Sequence, residues 1–232
     1  MISRRHFLAV GASAGLVACG RAPDPVSRNV VPEIAPPAPV PPAYGALYDE
    51  PFPVPAIPPG VVDPKLFRQH VTSPYAQYGP GTVVVDPDAA FLYLNEADGR
   101  ALRYGVSVGA EGFGWAGNAR MQFKRKWPRW TPPDEMVARQ PQYEPYSIAN
   151  GGMDGGPGNP LGARALYLFQ NGIDTLYRIH GACEPQYLGR AVSSGCVRML
   201  DQDVIDLYER VESGSDVVVL KSMKPDRLMS LY

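Results

Sequence analysis

A histidine and a cysteine stand sixteen positions apart in the stretch IHGACEPQYLGRAVSSGCVRM, Ile179 to Met199, of a 232-residue chain that has only three of each. A cysteine acts as a nucleophile through its thiolate, and the usual route to a thiolate near neutral pH is a neighbouring imidazole that takes the proton. The imidazole then needs a third group to fix its tautomer. The tetrahedral oxyanion needs backbone N–H donors, which tight glycine turns supply. His180 closes a strand-like run and is followed by Gly181, while Ser193-Ser194-Gly195-Cys196 makes a tight approach to the thiol. No other base competes, since His6 and His70 lie far away in the sequence.

Other uses of the same side chains stand beside this one. Cys196 can be a small buried apolar residue and His180 a satisfied strand-end histidine. Cys183 and Cys196 can form a disulfide in an exported protein, which would exclude a catalytic thiol while it lasts. A metal site is the weakest reading, because His180, Cys183 and Cys196 lack a fourth ligand at suitable spacing.

The elements that must position these residues are mostly strands. GTVVVDP (81–87), AFLYLNEADGR (90–100) and the following ALRYGVSVG read as strands closed by turn residues. MQFKRKW alternates Met121, Phe123, Arg125 and Trp127 against Gln122, Lys124 and Lys126. ARALYLF, TLYRIH and DVVVLK (216–221) are three more. One helix is predicted, with Asp201 as its cap, Val204, Ile205, Tyr208 and Val211 on one face, and Gly214 at its end. Two glycine patterns are not phosphate loops. GFGWAG (112–117) is followed by a strand pattern rather than a helix, and GGMDGGPGNPLG (151–162) lacks G-K-[ST]. The second is expected to be a long flexible loop beside a substrate cleft.

The first twenty residues, MISRRHFLAVGASAGLVACG, pair Arg4 and Arg5 with a short apolar run that is too brief to span a bilayer. They are expected to be an export signal of the twin-arginine type over 1–18, with LVAC as a lipidation box and Cys19 as the lipidated residue of a periplasmic lipoprotein. Thirteen of the 26 prolines fall between Pro23 and Pro59. Residues 19–62 are therefore expected to be a disordered, polyproline-like spacer reaching roughly 100 Å. The domain is placed at 63–224, with a short tail over 225–232. A net charge of −1 without charged blocks excludes a nucleic-acid footprint.

The two halves H-G-A-C-E-P (180–185) and S-S-G-C-V-R (193–198) resemble the catalytic signature of the L,D-transpeptidases, the YkuD-type family. The likeness extends through GTVVVD, FLYL, RYGVSVG, KWPRWTPP, NPLGARALYL, YRIHG and DVIDLYERV, roughly Gly81 to Leu220. The resemblance implies a mostly β, YkuD-type, sandwich-like single domain with one or two short helices, and no metal or organic cofactor. It implies Cys196 as nucleophile, His180 as base and the Gly181 carbonyl as the group orienting the imidazole. Gly195 and Cys196 would supply the oxyanion hole. Arg198, with Ser193 and Ser194, would bind substrate, a structural salt bridge being the other use of Arg198.

The implied partners are peptidoglycan stem peptides. The implied reaction is attack on the third stem residue, release of D-Ala and transfer to an amine, either of another stem or of a lysine on a wall-anchored protein. Water as acceptor would make the enzyme an L,D-carboxypeptidase or endopeptidase. Two departures stand out, Ala182 and Cys183 where the family has Thr and Asn. Cys183 could then pair reversibly with Cys196. A non-catalytic wall-binding lipoprotein would have no need for the full set of His180, Gly195, Cys196 and Arg198. Papain-like and NlpC-type peptidases place the cysteine before the histidine, the reverse of the order here.

Overall fold

Eleven strands and two α-helices follow one another in a computed structural model of the chain, which describes residues 38–109, 115–193 and 195–223. The strands are β1 (Gln69–Thr72), β2 (Val83–Asp86), β3 (Phe91–Asn95), β4 (Arg100–Gly105), β5 (Val108–Gly109), β6 (Gly117–Lys126), β7 (Arg164–Gln170), β8 (Ile173–His180), β9 (Ala191–Ser193), β10 (Val197–Arg198) and β11 (Asp216–Val219). The helices are α1 (Asp134–Arg139) and α2 (Asp201–Arg210). The expected signal, Cys19, Ser194, the first half of the GFGWAG stretch and the tail over 225–232 lie outside the described residues.

Nine strands form one sheet in the order β1-β4-β3-β2-β11-β6-β7-β8-β10, and β5 pairs with β9 in a second. Val83, Val85, Leu92, Leu94, Leu102 and Tyr104 from one wing share a buried cluster with Leu166, Leu168, Ile179 and Val197 from the other. The sheet therefore curls so that both wings and the apolar face of α2 close on one core. The strand signals predict the mostly β class, and the sandwich-like layering is what the family resemblance implies.

Three expectations change. The alternation in MQFKRKW breaks at a register shift between Met121 and Phe123. Beyond it Lys124 turns to the C-terminus of α2, where its Nζ donates to the carbonyls of Tyr208 and Val211. The buried face of α2 runs through Val204 and Leu207 to Val211, leaving Ile205 and Tyr208 half-buried. The GGMDGGPGNPLG loop is stitched rather than loose. Buried Asn159 donates from Nδ2 to the carbonyls of Pro128, Met153 and Asp154, and its Oδ1 accepts from Leu161 N–H.

The largest correction concerns residues 38–62. Composition predicts a spacer, yet Tyr44, Ile57 and Val62 join Leu66, Phe67, Cys183, Leu188 and Leu200 in a buried cluster. The Tyr44 hydroxyl donates to Asp203 Oδ1 at 2.8 Å and accepts from Arg68 N–H at 2.6 Å. Gln202 Nε2 donates to the carbonyls of Gly45 and Pro55. Glu50 holds Arg164, 2% exposed, with oxygens 2.5 and 2.9 Å from its two terminal nitrogens, and accepts from Trp127 Nε1 at 2.9 Å. Proline fixes the backbone without removing these side chains, so the segment straps itself to the domain. The folded unit starts some 25 residues earlier than composition suggests.

Candidate active site

β8 carries His180 at its end, and β10 lies parallel beside it with Val197 opposite Ile179 and Arg198 opposite His180. That register brings Cys196, one residue before β10, to the same cleft as His180. The cleft holds about 360 Å³, and Arg129, Trp130, Met136, Tyr143, Leu161, Leu176 and Arg178 line it together with His180, Cys196 and Arg198. Most of its far wall comes from the irregular segment 127–162 between β6 and β7, which is braced by the Trp130–Met153 bridge and by Trp130 packing edge-on to Tyr143.

The His180 ring is only 4% exposed. Its Nδ1 lies 2.9 Å from the Gly181 carbonyl oxygen. A carbonyl can only accept, so Nδ1 carries the proton and Nε2 keeps its lone pair. Burial, reinforced by the Arg198 charge, pushes the imidazole pKa down to about 3, so the ring is neutral. Gly181 is fixed in turn, donating its N–H to the carbonyls of Leu161 and Arg164.

Cys196 is half-buried, and burial raises its thiol above the ordinary value. The Arg178 N–H, a hydrogen bond to the sulfur, and the Arg178 and Arg198 charges pull the other way. Cys196 and the neutral His180 imidazole thus line one cleft. Gly195 has φ +123, and a Cβ there would come 3.2 Å from the Tyr177 ring, so both backbone and space require glycine next to Cys196. Ser193 ends β9, and Ser194 lies outside the described residues.

Three arginines line the cleft, and two are committed. Arg178 is held bidentately by Asp174, with both contacts at 2.7 Å, over the Tyr167 ring. Arg129 pairs with Asp154 and donates to the Gly151 carbonyl. Arg198 has no ion-pair partner among the described residues, and its buried Nε has no acceptor.

Cys183 has a different fate from Cys196. Neither is in a disulfide among the described residues, and Cys183 packs with the strap residues and Leu66 while Cys196 lines the cleft. Burial pushes the Cys183 thiol up to about 12, as expected of a packing residue. Among the described residues no group of three or more His, Cys, Asp or Glu side chains is placed to share a metal ion. Sequence reasoning missed Arg178 and the role of Asp201. Arg178 stands two residues before His180 on one strand, a spacing that places both on one face. Nothing in the sequence marked where the Asp201 carboxyl would point.

The mostly β domain thus gathers a histidine, a cysteine beside a glycine and an arginine in one cleft. Residues 80–219 match the L,D-transpeptidase catalytic domain family, YkuD, and the chain belongs to that family. A probable L,D-transpeptidase of Escherichia coli K12, YbiS, is 30% identical over 142 residues, 59% of this chain and 43% of that protein. This chain spans about half the length of the curated relatives it matches. A solved structure from Brucella melitensis titled a probable carnitine operon oxidoreductase is 50% identical, covering 68% of this chain and 96% of that one, with a TM-score of 0.47. The activity in that title is said of that protein. An L,D-transpeptidase from Mycobacterium smegmatis is 18% identical over 60% of this chain and 58% of its own, with a TM-score of 0.44.

Proposed function

We propose that the chain is a peptidoglycan L,D-transpeptidase working through a Cys196 thioester. The observation that carries this reading is the fixed Nδ1–H tautomer of His180, whose free Nε2 lone pair belongs to the cleft that Cys196 faces. Nε2 takes the thiol proton as sulfur attacks the carbonyl of the third stem residue, a diamino acid. The tetrahedral oxyanion is met by the Gly195 and Cys196 N–H groups, and collapse returns the proton to the departing D-Ala amine. A second amine then attacks the thioester, giving a cross-link between stems or a bond to a lysine of a wall-anchored protein. Arg198, a half-buried cation whose buried Nε has no acceptor among the described residues, holds a substrate carboxylate.

Export by the twin-arginine signal and lipidation at Cys19 belong to the same proposal and would place the enzyme in the periplasm on a membrane anchor. Residues 38–62 are packed on the domain and so do not serve as spacer.

The test is the full-length chain with a disaccharide-tetrapeptide, beside a Cys196→Ala variant, with products followed by chromatography and intact mass. Thiol-dependent loss of D-Ala with an acyl-enzyme or a cross-linked dimer is the expected result. Tripeptide alone assigns water as the acceptor. Binding in both variants without turnover assigns a wall-binding lipoprotein.

A further inference from the structure

An aspartate at the start of an amphipathic helix is ordinarily its cap, and Asp201 opens α2. In the structure it does not cap. The Leu200 carbonyl accepts from the N–H groups of Asp203 and Val204, and the Asp201 carboxyl turns away from its own helix. Its Oδ1 accepts from Ala163 N–H at 2.9 Å and from Ala182 N–H at 3.2 Å. These amides lie on either side of the base: Ala163 opens the strand pair that carries His180, and Ala182 closes the turn that follows it, at φ +57.

The carboxyl also fills the space that a side chain would take at Gly181 and at Gly162, since a Cβ at either position would overlap its Oδ1. Gly181 thus lacks a side chain because Asp201 stands there, and Ala182 takes a left-handed backbone conformation with its N–H satisfied by the same oxygen. Burial raises the carboxyl above its usual range, against the two N–H groups and the Arg164 charge. Two backbone donors call for an acceptor oxygen, which an amide supplies as a carboxylate does, though each bond is weaker without the full charge.

We propose that Asp201 is a positioning residue for the base: by holding the 181–182 turn it aims the Gly181 carbonyl at His180 Nδ1 and so fixes which imidazole nitrogen faces the thiol. The acceptor oxygen, not the charge, is what the site requires. The inference rests on the reading of His180 as the base of Cys196.

The experiment compares the wild type with His180→Ala, Asp201→Ala, Asp201→Asn and Asp201→Glu in the full-length chain, at a temperature where circular dichroism shows each folded. Three quantities are read: alkylation of Cys196 by iodoacetamide, turnover of the tetrapeptide, and the His180 tautomer from two-bond ¹H–¹⁵N spectra. Asp201→Ala is expected to lose about 100-fold in kcat with KM changed little, because a displacement of about 1 Å at a reacting group has that effect. The same variant is expected to slow alkylation and to populate the Nε2–H tautomer. Asp201→Asn, which keeps an oxygen of the same reach, is expected to stay within about fivefold of wild type. Asp201→Glu, which pushes the oxygen outward, is expected to resemble the alanine variant.

A folded Asp201→Ala with wild-type kcat and an unchanged Nδ1–H signal overturns the proposal. So does a folded Asp201→Asn that is as slow as Asp201→Ala, since charge would then be the requirement. Where Asp201→Ala fails to fold, the Asn and Glu variants decide by the same readings. If His180→Ala alkylates like wild type, the reading of His180 as base is what fails, whatever the Asp201 variants do.

Discussion

Two irregular stretches flank the domain's sheet, and they behave differently. Residues 38–62 and 127–162 are both rich in proline and aromatic residues and both poor in regular structure. The first buries Tyr44, Val54, Ile57 and Val62 and answers three buried polar groups of the body, Arg164, Asp203 and Gln202. The second forms a wall of the cleft, fastened by Asn159 and the Trp130–Met153 bridge, and leaves Ile148 68% exposed. Proline content sets neither outcome. A segment welds where its side chains complete polar groups that would otherwise be buried unpaired, and it lines a cavity where they do not.

The contrast is broken most directly at Glu50. Replacing it by alanine leaves Arg164 charged and buried, and a loss of about 3–5 kcal/mol in chemical denaturation is expected. A loss below about 1 kcal/mol would mean that the strap is merely resting on the surface.

On the cleft side the corresponding quantity is a pH dependence. The folded pKa of His180 is lowered to about 3 from 6.5, so as pH falls below about 6.5 the unfolded chain takes up a proton that the folded chain refuses. Stability from this group is complete above pH 6.5 and is lost progressively as pH falls towards 3. Wild type should therefore lose about 2 kcal/mol more than His180→Gln between pH 7 and pH 5. Parallel curves for the two proteins would show that the ring is solvated.

A smaller effect is expected at Tyr44→Phe, which removes the hydroxyl donor from buried Asp203 and should cost about 1–3 kcal/mol by thermal denaturation. The smallest is Ile148→Ser on the cleft wall, where the change in stability should stay within about 0.5 kcal/mol. An equal loss at Ile148 and Tyr44 would erase the distinction between the two segments.

The strand run that ends at His180 was legible because strand-forming residues bounded by turn residues leave a local mark, as in TLYRIH, whereas the short β9 and β10 on either side of Cys196 were not. The pairing of the two halves, H-G and S-S-G-C-V-R, was legible through their resemblance to the L,D-transpeptidase signature. The strap was not, because its buried contacts are with Arg164, Asp203 and Gln202, more than a hundred residues away. Asp201 misled for a related reason. Its position at a helix start is a local signal, while the donors it serves, Ala163 and Ala182, come from other elements.

By itself the sequence determined the residue types of the site, their strand-and-turn setting and the mostly β class, since each follows from local periodicity and chemistry. The tertiary structure alone decided that Cys183 would be packing and Cys196 would line the cleft, that Arg198 would have no ion-pair partner among the described residues while Arg178 is paired, and that residues 38–62 of the proline-rich segment would pack on the domain. Those outcomes depend on which distant groups become neighbours when the sheet curls. Burial then sets the worth of each charge and each thiol, and burial is a property of the assembled core.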